Sequence, residues 1–131
     1  NISFIPVICY EIVFYWKLIN KYNYKSNFIV NITNDFWFGD FIGPYQHFYL
    51  TKIRAVEFNK PIIRVSNNGI SAVIDRNGKV INNTLLNNTS KFKHELLLQD
   101  NKNFVNFHII LKMYFFIIFV LIIFYYLKRN A

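Results

Sequence analysis

The residue in this chain best equipped for covalent chemistry is Cys9, its one cysteine. It ends a short apolar run, Ser3–Ile8 (SFIPVI), and stands immediately before a helix-like pattern. A strand that turns abruptly into a helix exposes a nucleophile at the bend, and the helix N-terminus favours both a thiolate and the oxyanion it creates. A lone cysteine after an apolar run is more often an inert core thiol, so spacing alone favours that plainer reading. Glu11 is either a polar partner of such a site or a favourable charge at a helix start. His47, His94 and His108 are candidate bases for a Cys–His scheme, but none stands in a motif, and surface or helix-packing roles are the plainer alternative. Zinc-ligand spacing and a glycine-rich phosphate loop are both lacking, so neither metal nor cofactor is expected.

The elements that must position these residues follow from hydrophobic patterning. Ser3–Ile8 reads as a buried strand, with Pro6 placing it at a sheet edge or near a strand start. Ile12, Val13, Trp16 and Ile19 give Glu11–Tyr22 the spacing of a helix packed on a sheet. Phe28–Ile32 (FIVNI) is a second buried strand of the continuous apolar kind found in parallel sheets. Residues 33–44 (TNDFWFGDFIGP) form a structured aromatic loop, and Pro44 suits the first turn of a helix running over Tyr45–Asn59. Pro61–Ser66, Ile70–Asp75 and Lys79–Ile81 are strands joined by turns at Asn67-Asn68-Gly69 and Arg76-Asn77-Gly78, both carrying the Asn-Gly hairpin signal. Phe92–Leu98 is expected as a further strand. Alternating strands and helices make the fold class α/β.

The chain has 131 residues, 53% hydrophobic and 20% aromatic, with 15 basic and 7 acidic residues and a net charge of +8. That length fits one domain, and the aromatic content excludes a disordered chain. A single cysteine excludes an internal disulfide framework. No basic stretch opens the chain, so no signal peptide is read. The basic residues are scattered, with no run longer than Lys128-Arg129, which points to a solvated surface and to no nucleic-acid partner. Apolar residues are concentrated in Ile109–Leu127, where Lys112 is the only charge. Its length, roughly 28 Å as a helix, matches a hydrocarbon core. Tyr114 and Tyr125-Tyr126 suit the two interfaces, and Lys112 lies close enough to the start to reach the headgroups. A membrane span is therefore expected. Lys128-Arg129 favour a cytoplasmic C-terminus, with Lys102 and Lys112 weighing on the other side.

Five blocks occur in one order: Ile8-Cys9-Tyr10-Glu11, Thr33–Gly39 (TNDFWFG), Gly43–His47 (GPYQH), Arg54–Glu57 (RAVE) and Pro61–Asp75 (PIIRVSNNGISAVID). Together they closely resemble the C-terminal half of the nitrilase-like domain of the apolipoprotein N-acyltransferase family of the bacterial inner membrane, over roughly residues 4–82. The resemblance implies half of a nitrilase-like αββα sandwich over residues 1–103, then a transmembrane helix and short basic tail over residues 104–131. It implies a cysteine that takes a fatty acyl group from a phospholipid as a thioester and passes it to the N-terminal diacylglyceryl-cysteine of an apolipoprotein. On that reading Cys9 is the nucleophile, Tyr10 and Glu11 support the site, and Asn34, Trp37 and Phe38 match an aromatic loop beside the catalytic pocket. Ordinary packing is the alternative for the loop aromatics. Glu57 and Asn67-Asn68-Gly69 match structural positions, a buried helix carboxylate and a tight turn. The implied partners are a phospholipid donor, an apolipoprotein acceptor and the inner membrane, with the catalytic domain on the periplasmic side.

The chain departs from the family pattern in one respect. The glutamate base and the oxyanion-stabilising lysine of nitrilase-like catalysis lie upstream of the cysteine block, and residues 1–8 hold neither. The expectation is therefore a segment of a larger enzyme, inactive alone and prone to leave a sheet face or edge uncovered. The competing readings are a nitrilase-like amidase that uses water as acceptor, and a non-catalytic membrane-anchored remnant.

Overall fold

The computed structural model describes residues 2–21, 25–96 and 107–129, with the side chains of 107–110 outside that description. One five-stranded sheet is built from Phe4–Ile8 (β1), Phe28–Asn34 (β2), Ile62–Asn67 (β3), Ala72–Ile74 (β4) and Val80–Asn83 (β5), lying side by side in chain order. β1, β2 and β3 are mutually parallel, and β4 and β5 follow as antiparallel neighbours. The helices are Tyr15–Lys21 (α1), Ile42–Phe58 (α2) and Phe107–Arg129 (α3). The expected α/β class, with a nitrilase-like sheet and a terminal apolar helix, is what stands. Pro6 sits in β1, an edge strand, where its missing amide disrupts no inner ladder.

Alternation along the strands divides the sheet into two unlike faces. Ile5, Val7, Ile29, Ile62, Ala72 and Ile74 point to one face and pack with Ile12, Leu18 of α1, and Ala55 and Phe58 of α2. The opposite face is apolar but open: Phe4, Ile8, Ile32 and Val65 are each more than half exposed. Ile8, Ile32 and Val65 form one register row across β1, β2 and β3. The described residues thus form a two-layer half of a sandwich, with helices covering one side of the sheet.

Three expectations need correction. The helix expected over Glu11–Tyr22 is instead a 3-10 turn at Cys9–Val13, a break at Phe14 and then α1, with Tyr22 outside the described residues. Phe14 is extended (φ −90°, ψ 93°). Arg54 donates to the carbonyls of Ile12 (2.8 Å) and Val13 (2.7 Å), taking acceptors that a continuous helix would have used. The strand expected at Phe92–Leu98 is not formed over residues 92–96, and Leu97 and Leu98 lie outside the described residues. Residues 91–95 are exposed, so no core packs against them as a strand face. Glu57 is only partly buried and pairs with Arg54; the fully buried carboxylate is Asp35. The boundary expected at residues 103/104 also lies outside the described residues.

In α3, Leu111–Arg129 is a 19-residue helix long and apolar enough to cross a membrane, and none of it is buried against the other described residues. Lys128 and Arg129 close its last turn.

Candidate active site

Cys9 stands at the C-terminal end of β1, where the chain leaves the sheet and enters the 3-10 turn. Its φ is +49°, a left-handed conformation that costs an L-residue roughly 1–2 kcal/mol and that most side chains avoid. Glu11 holds this bend. Its Oε2 accepts from the Ile8 amide (2.9 Å) and from Lys21 Nζ (2.6 Å). The Lys21 hydrogen bond, followed by the Ile8 amide, keeps the Glu11 carboxyl below its ordinary value. Of the two roles open to Glu11, this contact favours a clamp on the elbow.

Behind the bend lies a polar cluster inside the helix-covered layer. Asn31, Thr33 and Asp35 alternate on the buried face of β2 and its continuation, and Arg64 joins them from β3 through the pair Asn31↔Arg64. Arg64 Nη2 donates to Asp35 Oδ2 at 2.6 Å, with both side chains fully buried. Its Nη1 donates to Asn31 Oδ1 (2.7 Å) and Thr51 Oγ1 (3.0 Å), and its Nε to the Ile70 carbonyl (3.2 Å). Asn31 Nδ2 donates in turn to the Val7 carbonyl (3.2 Å) and, at 3.5 Å, to that of Cys9. The guanidinium therefore braces both ends of the β1–β2 junction.

His47 of α2 completes the cluster. An ionised Asp35 only accepts, so His47 Nδ1 carries the proton and donates to Asp35 Oδ1 at 2.9 Å. His47 Nε2 is buried and has no hydrogen-bond partner among the described residues. Burial alone would raise the Asp35 carboxyl, but the His47 hydrogen bond and the Arg64 charge outweigh it and hold the group at about 2. Burial also pulls the Arg64 guanidinium below its ordinary value, against the opposing effect of Asp35. Thr33 links the cluster to the cysteine, with its Oγ1 3.1 Å from Asp35 Oδ1 and 3.7 Å from Cys9 Sγ.

Aromatic rings close the upper side. The Tyr10 ring lies 5.6 Å from that of His47 and 6.0 Å from that of Phe38, and Phe38 lies 5.2 Å from His47. Asn34 Oδ1 accepts from the Phe36 amide (3.1 Å) and so shapes the start of the aromatic loop. Trp37 and Phe41 on that loop are 83% and 88% exposed. Beside it, a polar cleft of about 620 Å³ opens where β2 and β3 end, lined among others by Phe36, Asp40, Asn67 and Asn68. Ligands of open parallel sheets bind at this carboxyl end.

The family model for carbon-nitrogen hydrolases matches residues 4–92, well over half of the chain. The chain belongs to the carbon–nitrogen hydrolase family. It is 50% identical over 82 residues to the apolipoprotein N-acyltransferase of Allorhizobium ampelinum, covering 63% of this chain and 15% of that protein. Identity is 47% over 87 residues to the protein of the same name from Rickettsia bellii, covering 66% and 17%. For Wigglesworthia glossinidia brevipalpis it is 39% over 100 residues, covering 76% and 19%. The chain therefore spans less than a fifth of the length of each of these relatives.

Within this carbon–nitrogen hydrolase segment the fold gathers Cys9, Tyr10, Phe38 and His47 in one neighbourhood. Glu11 sits beneath the bend, Asn34 shapes the loop, and Trp37 points to solvent. His94 does not belong to this group: it lies with Asn27 and Pro61 at the opposite, N-terminal ends of β2 and β3. The side chain of His108 lies outside the described residues. Sequence reasoning passed over Asp35, Thr33, Asn31, Thr51 and Arg64. The available signal was Arg64, a charge inside the otherwise apolar run PIIRVS, which demands a buried counterion.

Proposed function

We propose that Cys9 is an acyl-accepting nucleophile, and that this chain carries the nucleophile-bearing segment and a membrane anchor of an apolipoprotein N-acyltransferase. The observation that carries this reading is the left-handed bend that presents Cys9 over the buried Asp35–His47–Arg64 cluster. In the first half-reaction the thiolate attacks a phospholipid ester carbonyl. The carbon–oxygen bond breaks, and the lysophospholipid alcohol leaves with a proton. In the second, the α-amino group of a lipoprotein's diacylglyceryl-cysteine attacks the thioester, forming an amide and returning the thiol. A thioester suits this relay because it retains acyl-transfer potential and yields readily to amines. Tyr10 and Glu11 support the elbow, while Asn34, Trp37 and Phe38 belong to the loop whose exposed rings suit acyl chains. No cofactor or metal enters this scheme.

Residues 1–103 form the catalytic portion in this proposal, and residues 104–131 the anchor and basic tail. In this reading the protein sits in the bacterial inner membrane with the catalytic portion periplasmic and the C-terminus cytoplasmic, which the basic last turn at Lys128-Arg129 supports. The family scheme also needs a glutamate base and a lysine. Among the described residues the hydrogen-bond partner of Cys9 Sγ is Thr33, and Glu11 is occupied by Ile8 and Lys21. We therefore propose that residues 1–131 alone do not complete the cycle. An amidase would use the same Cys9 with water as acceptor; the apolar helix α3 favours the lipid-directed reading.

The test replaces the matching segment of the Rickettsia bellii relative with this one, in vesicles containing acyl-labelled phosphatidylethanolamine and an apolipoprotein. The label is expected first on Cys9 as a hydroxylamine-labile thioester and then on the lipoprotein as an amide. Transfer that survives Cys9→Ser, or label released only as free fatty acid, overturns the proposal.

A further inference from the structure

We propose that Thr33 is a positioning residue for the Cys9 sulfur, its hydroxyl acting as a rotor between that sulfur and Asp35. The proposal rests on the reading of Cys9 as nucleophile. Three observations place the hydroxyl in this role. Thr33 Oγ1 is 3.7 Å from Cys9 Sγ, within reach of a hydrogen bond to sulfur, and 3.1 Å from Asp35 Oδ1. A hydroxyl has one proton to donate and lone pairs to accept, so it serves one acceptor at a time. Asp35 does not depend on that proton, because His47 Nδ1 already donates to Oδ1 and Arg64 Nη2 to Oδ2.

The consequence is a switch that moves no heavy atom. With Cys9 as a thiol, the S–H donates to Thr33 Oγ1 while the Thr33 hydroxyl donates to Asp35. Once a base removes the thiol proton, rotation about Cβ–Oγ1 turns the hydroxyl onto the thiolate and leaves Asp35 held by His47 and Arg64. Thr33 is 6% exposed and its backbone is fixed in the β2 ladder opposite Ser66, so the oxygen is held in place by the sheet. A donor fixed before charge appears stabilises that charge without reorganising solvent. The left-handed φ of Cys9 fits this picture, since the bend keeps the sulfur beside β2.

The test uses the whole 131-residue chain in detergent micelles. Because Cys9 is its one cysteine, iodoacetamide reports this thiolate alone. The sulfur–carbon bond forms as the carbon–iodine bond breaks, iodide leaves, and the thiol proton passes to the buffer. At one fixed pH, Thr33→Val is expected to alkylate about fivefold more slowly than the parent, about 1 kcal/mol in the barrier. Thr33→Ser, which restores the hydroxyl, is expected within twofold of the parent. If the valine variant does not fold, Thr33→Ala is compared with Thr33→Ser in its place. Parent-like alkylation in the hydroxyl-free variant overturns the proposal. Equal slowing in the serine variant also overturns it, because the hydroxyl would then not be the cause. This readout is independent of acyl transfer. Acyl transfer that survives Cys9→Ser would remove the proposed function and leave the Thr33–Cys9 coupling standing, and parent-like alkylation in Thr33→Val would do the reverse.

Discussion

Replacing Asp35 by asparagine tests the cluster on which the site is built. The substitution keeps the shape of the side chain and removes its charge. Arg64 is then left fully buried with neutral partners alone, among them Asn31, Thr51 and the Ile70 carbonyl. Breaking a buried pair by removing one partner costs about 3–5 kcal/mol. Asp35 also ties stability to pH. Its carboxyl is held at about 2 in the folded chain against 3.8 ordinarily, and each tenfold change in proton affinity is worth about 1.4 kcal/mol, giving about 2 kcal/mol. The folded value lies below the unfolded one, so the unfolded chain binds the proton first. The stabilisation is therefore complete above about pH 5 and disappears as the pH falls through 2. Urea titrations read by pulse proteolysis, on the parent and on Asp35→Asn, measure both effects. The gap between them is expected at about 3–5 kcal/mol at pH 6, narrowing by about 1 kcal/mol at pH 3 and about 2 kcal/mol at pH 2. Taking the difference cancels the other carboxylates. A gap below about 1 kcal/mol at pH 6, or one that does not narrow on acidification, refutes the assignment of Asp35 as the anion that balances Arg64.

Three further outcomes follow from other contacts. Cys9→Gly is expected to exceed Cys9→Ala in stability by about 0.5–1 kcal/mol, because glycine accepts φ +49° and the gain outlasts the freedom it adds to the unfolded chain; equal urea midpoints would show the bend to be unstrained. Gly69→Ala should cost about 1–3 kcal/mol or more in the same titration, since a Cβ there would overlap Asp35 Oδ2 and Ser66 Oγ and stand 2.7 Å from Asp35 Cγ; a neutral result would mean that Asp35 is not held where the cluster needs it. Placing lysines at Phe116 and Val120, in the middle of α3, costs roughly 3 kcal/mol each in hydrocarbon, and should move the chain out of the carbonate-resistant membrane pellet; unchanged extraction would refute the span.

Most of the elements were legible because they are announced locally. SFIPVI and FIVNI are apolar runs of strand length, Pro44 lies in the first turn of α2, and Gly78 takes φ +77° at the second hairpin turn. The first turn differs in its physics. Asn68 is the left-handed residue (φ +61°), whereas Gly69 is required for space against Asp35, which no turn rule reveals. The break at Phe14 was hidden for the same kind of reason: it depends on Arg54, about forty residues away, reaching two carbonyls.

The site was less legible because it is assembled by register. Nothing in the sequence states that Val7, Asn31, Arg64 and Ala72 share one row, yet that row puts a guanidinium under the β1–β2 junction. Part of this was nonetheless within reach. Parity places Arg64 on the same buried face as Ile62, so its charge must find an anion inside the layer. Inward positions on β2 run Ile29, Asn31, Thr33, and the next of that parity is Asp35. Among the described residues Glu57 pairs with Arg54, Glu11 is engaged at the elbow, Asp40 accepts from Asn87, Asp75 accepts within its own turn and Glu95 is exposed, so parity and pairing both favour Asp35. The lone arginine in PIIRVS thus points to Asp35, and Asp35, two residues beyond Thr33 on one face, points back to Cys9.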